Sequence, residues 1–378
     1  MGSISSQVRI SRSVSLDLLR AGAAFLVLIS HVRSFVLVDY GNVADPSIVD
    51  RALYYASGFG HQAVVVFFVL SGFLVGGSVL SARSDTFWPR YALHRITRLW
   101  VVLVPALVAT LVWNLVGKYT GGGEYLSGSL RQGLNSAPGG DYGLDGVTFF
   151  GNLLFLQTIV VSVFGDNGPL WSLANEFWYY VAFPLLYFGT RREYSAGLRL
   201  AMVGGGAAVF VLTPLGFLQG FVSWVFGVGV YWIRSSRRLV FPAKALFAVS
   251  SFVVCVSTFH LSRSGGVPDI ALGAAFAVFL LWAAGFTGFP CWVSPGATWF
   301  SNFSYTLYLA HFPFAAFLWY TFLDGERVTP SAEGWFRFVA IVAACIGYSY
   351  LLYLAFERHT DAVRRVLQQR LVKISVPR

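Results

Sequence analysis

The chain reads as an all-α, polytopic membrane protein, and three observations carry that reading. Of its 378 residues, 56% are hydrophobic and 12% charged, whereas soluble domains carry about a quarter charged residues. Mean hydropathy is +0.65. The apolar residues collect into runs of about 20, the length a helix needs to cross a bilayer, separated by short polar stretches. Those runs use up the sequence, so we expect one transmembrane unit over 1–378, with a cytoplasmic head at 1–15 and a basic cytoplasmic tail at 357–378.

The runs lie at 16–38, 62–81, 99–117, 169–188, 200–214, 217–233, 244–260, 267–284, 300–321 and 335–356. The first follows Arg9 and Arg12 as in a signal peptide, but it is too long and lacks a small-residue cleavage site, so it is expected to remain as a helix. A further stretch, 148–164, sets the orientation of everything after it. If it crosses, Arg191 and Arg192 fall opposite Arg83, Arg90, Arg95 and Arg98. If it dips in and returns before Pro169, the basic clusters share one side, with Arg199, Arg234, Arg237, Arg238, Lys244 and the tail among them. The other side then holds mostly acids, such as Asp39, Asp45, Asp145, Asp324 and Glu333. Basic loops stay cytoplasmic, so the expected topology is about ten transmembrane helices plus one re-entrant segment, both termini cytoplasmic.

The same asymmetry accounts for the net charge of +10, which therefore does not point to nucleic acid. Irregular backbone at membrane depth is tolerated only where protein or a cavity covers it, so a re-entrant segment implies an internal cavity. The Gly-rich stretch from Lys118 to Asp145, with Asn135 and Pro138, is a long polar loop suited to shaping an outer entrance. Cys255, Cys291 and Cys345 show no metal or redox spacing, and the six histidines suggest no metal site.

Inside the first run stand Arg20 and His31. Eleven helical steps return to nearly the same face, about 16 Å further along the axis. Ionisable groups in hydrocarbon cost on the order of 3 kcal/mol and usually face a water-filled or ligand-filled interior. Glu176, in the fourth run, is expected at a depth similar to that of His31. A carboxylate beside an imidazole would fix its tautomer and make it a general base. Arg95 and Arg98, one turn apart at the start of the third run, suit phosphate oxygens, and Arg20 near the cytoplasmic face suits an anionic group. Each residue also has a structural alternative: interhelical hydrogen bonding for His31 and Glu176, and headgroup or positive-inside anchoring for the arginines.

Leu16-Asp17-Leu18-Leu19-Arg20-Ala21 with His31 resembles the signature of the acyltransferase-3 family of integral membrane O-acyltransferases. Further stretches match in order: Phe67 and Phe68 with Ser71-Gly72-Phe73, Arg95 with Arg98, Trp171-Ser172-Leu173 with Glu176, and Ser304-Tyr305 with Tyr308 and His311. Ala63, Val64 and Val65 depart from the pattern before the paired Phe, and Trp100 stands where a proline is usual. The resemblance implies a glycan O-acetyltransferase of a bacterial inner membrane, taking acetyl-coenzyme A from the cytoplasm and a polysaccharide or lipid-linked saccharide hydroxyl from outside. Arg20, Arg95 and Arg98 would hold the donor's nucleotide end, and His31 would act as base with Glu176 orienting it. Trp171, Ser172, Tyr305 and His311 would border the acceptor. An acyl-histidine intermediate is the competing chemistry. No esterase-like soluble domain is appended, so the chain is expected to complete transfer itself or to pass the group on. The other functional readings are a flippase for a lipid-linked glycan and a relay of acyl groups to a separate enzyme.

Overall fold

The structure, a computed structural model, describes residues 13–82, 84–121, 123–126, 134, 142–236, 244–263 and 268–375. The expectations placed on Arg9, Arg12, Arg83, Arg237, Arg238, Asn135, Pro138 and the rest of residues 1–12 lie outside the described residues. Within them, the helices are α1 Val14–Val36, α2 Ile48–Ala56, α3 Gly60–Ser71, α4 Gly77–Leu80, α5 Ser84–Gly121, α6 Gly146–Leu153 and α7 Leu170–Gly189. They continue with α8 Ala196–Leu212, α9 Leu215–Ser236, α10 Lys244–Arg263, α11 Asp269–Ala283, α12 Val293–Leu323, α13 Ala332–Ala355 and α14 Thr360–Ser375.

Each of the ten apolar runs lies in one helix or in the continuous α3–α4 pair. Among the described residues, six stretches are long and apolar enough to cross a membrane: Val14–Val36, Ile48–Leu80, Phe87–Thr120, Gly216–Ser236, Val293–Leu323 and Ala332–Arg370. Ala196–Leu212, Leu246–Ser262 and Asp269–Ala283 are shorter apolar helices. Many outward side chains are apolar, as Val104, Val108, Val112 and Leu115 along α5 show. Their spacing of four, four and three puts them on one helix face, which suits lipid rather than water. The chain is a multi-pass membrane protein.

The stretch 148–164 forms no spanning helix. Asp145 caps α6 by accepting from the Thr148 backbone N–H at 2.9 Å, and α6 runs only eight residues, about 12 Å. Phe155 and Thr158 then adopt left-handed backbone conformations, φ 57° and 66°, and reverse the chain. The turn is held from inside: the buried Asn152 side chain donates to the Ser162 carbonyl at 2.9 Å, and its Oδ1 accepts from the Phe164 N–H at 3.1 Å.

Between α3 and α4 the helix widens into a π turn at Gly72–Gly76. The cause lies across the interface. A Cβ on Gly72 would stand 1.8 Å from the Trp224 carbonyl oxygen of α9, and one on Gly227 would stand 1.9 Å from that of Val69. The two backbones touch, and only glycine on both sides permits it.

Helices α1 and α12 lie side by side and run parallel. Near their starts Arg20 donates to the Ser301 hydroxyl at 3.0 Å. Halfway along, His31 meets His311 at 2.9 Å. Past the end of α1, the Val38 N–H donates to the Val328 carbonyl at 3.1 Å. Had every run and 148–164 crossed, the run in α12 would have been antiparallel to the first. The parallel pair agrees with a segment that dips and returns.

Candidate active site

Five helices enclose a cavity of about 390 Å³. Arg20 enters from α1, Phe67, Ser71 and Leu74 from α3 and the π turn, and Arg95 and Arg98 from α5. Ser172, Glu176 and Tyr180 come from α7, and Ser301, Ser304, Tyr305 and Tyr308 from α12. The α12 residues recur at helical spacing, so one stripe of hydroxyls on an otherwise apolar helix faces the interior.

The three arginines differ in what they touch. Arg20 lies 3.6 Å from Asp17, and Ser301 ties the two together, accepting from Arg20 at 3.0 Å and donating to Asp17 at 3.0 Å. Arg98 forms an ion pair with Glu357 and lies over the Tyr305 ring, 4.9 Å from its centroid. Glu357 is itself 4% exposed and accepts from the backbone N–H and the hydroxyl of Thr306, at 3.2 and 2.6 Å. Arg95 packs against the rings of Tyr91 and Tyr180, each 5.7 Å away. Its Nε is buried without a hydrogen-bond partner, and no salt bridge to it exists among the described residues. A half-buried guanidinium group that faces a cavity with no carboxylate paired to it is costly unless an anion completes it.

Between α9, α3 and α7 the hydrogen bonds run in one direction. The Trp224 indole N–H donates to Ser71 at 3.1 Å. Ser71 and Tyr180 share a bond of 3.1 Å, and the Tyr180 hydroxyl donates to Glu176. Tyr180 spends its only proton on the carboxylate, so Ser71 donates to Tyr180. Tyr308 bonds Ser172 at 2.5 Å, and its ring is 6.4 Å from that of His311. Just past this aromatic edge lies the histidine pair, with His31 6% and His311 1% exposed.

Residues 13–354 match the acyltransferase-3 family model, described as an acyltransferase domain. The chain belongs to the acyltransferase-3 family. Acyltransferase MdmB of Streptomyces mycarofaciens is 30% identical over 210 residues, 53% of this chain and 46% of that protein. The chain thus spans about half the length of that relative. Nodulation protein 10 of Rhizobium leguminosarum bv. viciae is 27% identical over 293 residues, covering 71% of this chain and 74% of that protein. No solved structure gives a significant match.

In this acyltransferase-3 chain Arg20, Arg95, Arg98, Ser172, Glu176 and Tyr305 come together around one cavity. Trp171, His311 and His31 stand outside its lining. Trp171 packs edge-on against Phe68, 6.3 Å between centroids. His311, expected to border the acceptor, instead bonds His31. Glu176, expected to orient His31, bonds Tyr180, because Tyr180 is one turn along the same helix and reaches it first. His31 itself lies beside the cavity rather than in its wall. Tyr180, Ser301 and Glu357 went unread in the sequence. Ser301 is signalled only by its place in the α12 hydroxyl stripe. Glu357 follows the last apolar run and looks like part of a charged tail until the fold returns it to Arg98.

Proposed function

We propose that this protein transfers an acyl group, acetyl in the simplest case, from acyl-coenzyme A to a hydroxyl of an extracytoplasmic saccharide, in the cytoplasmic membrane of a bacterium. The observation that carries this reading is Arg95, a half-buried cation that no carboxylate pairs with among the described residues, in a cavity whose inner edge abuts a histidine pair. A donor with phosphates at one end and a thioester on a long arm needs a cationic site and a base at a distance. The separation of Arg20 and His31, about 16 Å along one helix, is of that order. Arg95 holds a donor phosphate, with Arg20 and Arg98 contributing positive field while their own carboxylates keep them in place. The Ser172, Tyr305 and Tyr308 hydroxyls offer hydrogen bonds to a sugar.

In the reaction the acceptor oxygen attacks the thioester carbonyl while His31 Nε2 takes the hydroxyl proton. The tetrahedral intermediate expels the thiolate, the C–S bond breaks, and the proton on His31 passes to sulfur, leaving an ester and a free thiol. General-base catalysis of this kind contributes about 10²–10⁴-fold. Incubation of the purified protein in nanodiscs with radiolabelled acetyl-coenzyme A and a saccharide acceptor tests it. Label should reach the acceptor with wild type and be lost with His31→Ala. Full transfer by His31→Ala overturns the role of His31, and absence of donor binding by wild type overturns the enzyme reading in favour of a flippase.

A further inference from the structure

The two histidines form a directed pair. His311 Nδ1 lies 2.7 Å from the Leu307 carbonyl oxygen one turn back on α12. A carbonyl only accepts, so His311 Nδ1 carries the hydrogen. In the neutral ring the lone pair is then on Nε2, which faces His31 Nδ1 at 2.9 Å. The ring planes are 6° apart and the centroids 5.2 Å apart, the separation of two rings joined edge to edge by a 2.9 Å bond, so the bond lies close to both planes. His31 Nδ1 must donate, and the lone pair of His31 is left on Nε2. These tautomers are assigned from the hydrogen-bond network.

We infer that His311 is a positioning residue, which holds His31 in the Nδ1–H tautomer and thereby makes Nε2 its basic atom. The inference rests on the acyl-transfer reading only for its kinetic consequence; the tautomer belongs to the resting protein. His311 does here what a carboxylate does beside a catalytic imidazole, with a neutral acceptor in place of a charge. When His31 gains a proton on Nε2, the Nδ1–H still points at a lone pair, and no second buried charge is needed. The parallel register of α1 and α12 supplies the alignment. Phe312 packs edge-on against the His31 ring at 5.2 Å, which restricts its rotation.

The test is ¹⁵N NMR of the full-length protein labelled at histidine in nanodiscs, with the His31 signals identified by their loss in His31→Ala. Wild type should show a pyrrole-type Nδ1 and a pyridine-type Nε2 at His31. His311→Gln, whose amide oxygen can accept the same bond, should keep that pattern and most of kcat. His311→Leu should shift His31 toward the opposite tautomer and lower kcat about 10²–10⁴-fold with the donor KM little changed. A pyrrole-type Nε2 in wild type overturns the inference, and so does an unchanged tautomer in His311→Leu. If His311→Leu does not fold, the wild-type spectrum and the His311→Gln kinetics still decide it. Should the tautomer be as inferred while His31→Ala still transfers acyl groups in full, the proposed role of His31 as the base fails and the geometry of the pair stands.

Discussion

At the residue scale, arginines with the same formal charge have different tasks because their partners differ. Arg98 is bound to a buried carboxylate, so removing either partner leaves an uncompensated charge. We expect Glu357→Ala to destabilise the protein by about 1–3 kcal/mol, the cost of leaving the buried Thr306 N–H and hydroxyl without their acceptor, read as a lowered midpoint in thermal unfolding followed by tryptophan fluorescence. Arg95 has no carboxylate to abandon. Arg95→Ala should leave the unfolding midpoint nearly unchanged while raising the donor KM at least tenfold, and Arg95→Lys should recover only part of the loss, because a point charge does not reproduce a bidentate fork. Equal loss of stability in Arg95→Ala and Glu357→Ala would remove the distinction. The sequence shows two basic residues one turn apart and cannot show this division, since Glu357 lies more than 250 positions away.

At the element scale, glycine contacts and register matter more than hydrophobicity. The α3–α9 crossing brings two backbones together through Gly72 and Gly227. Overpacking a tight core costs about 1–3 kcal/mol, and here the obstacle is backbone that cannot rotate away. Gly72→Ala should therefore lower the thermal midpoint, and because Ser71 beside it bonds Tyr180, acyl transfer should fall with it. Retained stability and activity in Gly72→Ala would show that the crossing relaxes. The positions of the ten apolar runs were legible because a helix in lipid must satisfy its own backbone and show an apolar surface. The π turn was not, since Gly72–Gly76 has the same composition as any small-residue patch until α9 is placed against it. Likewise, α2 and α14 escaped because neither lies in a long apolar run. The capping box of Ser47 and Asp50 marks where α2 begins.

At the scale of the whole molecule, the ends of the bundle separate by charge. The loop after α1 and the loop after α12 meet, with Asp39 and Arg327 3.1 Å apart. At the other end, Arg98 meets Glu357, and Arg364 of α14 donates to Thr97 of α5 at 3.1 Å. The positive-inside rule assigns this second end to the cytoplasm. In a Cys291→Ser background, an impermeant maleimide applied to intact cells with the outer surface accessible should label Gly41→Cys and not Arg192→Cys until the membrane is permeabilised. Both positions are exposed, and Cys255 and Cys345 are buried. The reverse pattern would invert the orientation and move the donor to the outer side.

What the sequence determined by itself is the class of molecule: membrane-embedded helices, with polar residues among them too costly to place in lipid without purpose. Those follow from hydropathy and helical geometry, which act locally. Which polar residues meet across helices was decided only by the tertiary structure. His31 pairs with His311 because α1 and α12 run parallel in a register of eleven against ten residues, whereas the Glu176–Tyr180 bond lies one turn along α7 and follows from the local spacing. Pairing between helices depends on packing angle and register, and neither is written in the periodicity of a single segment.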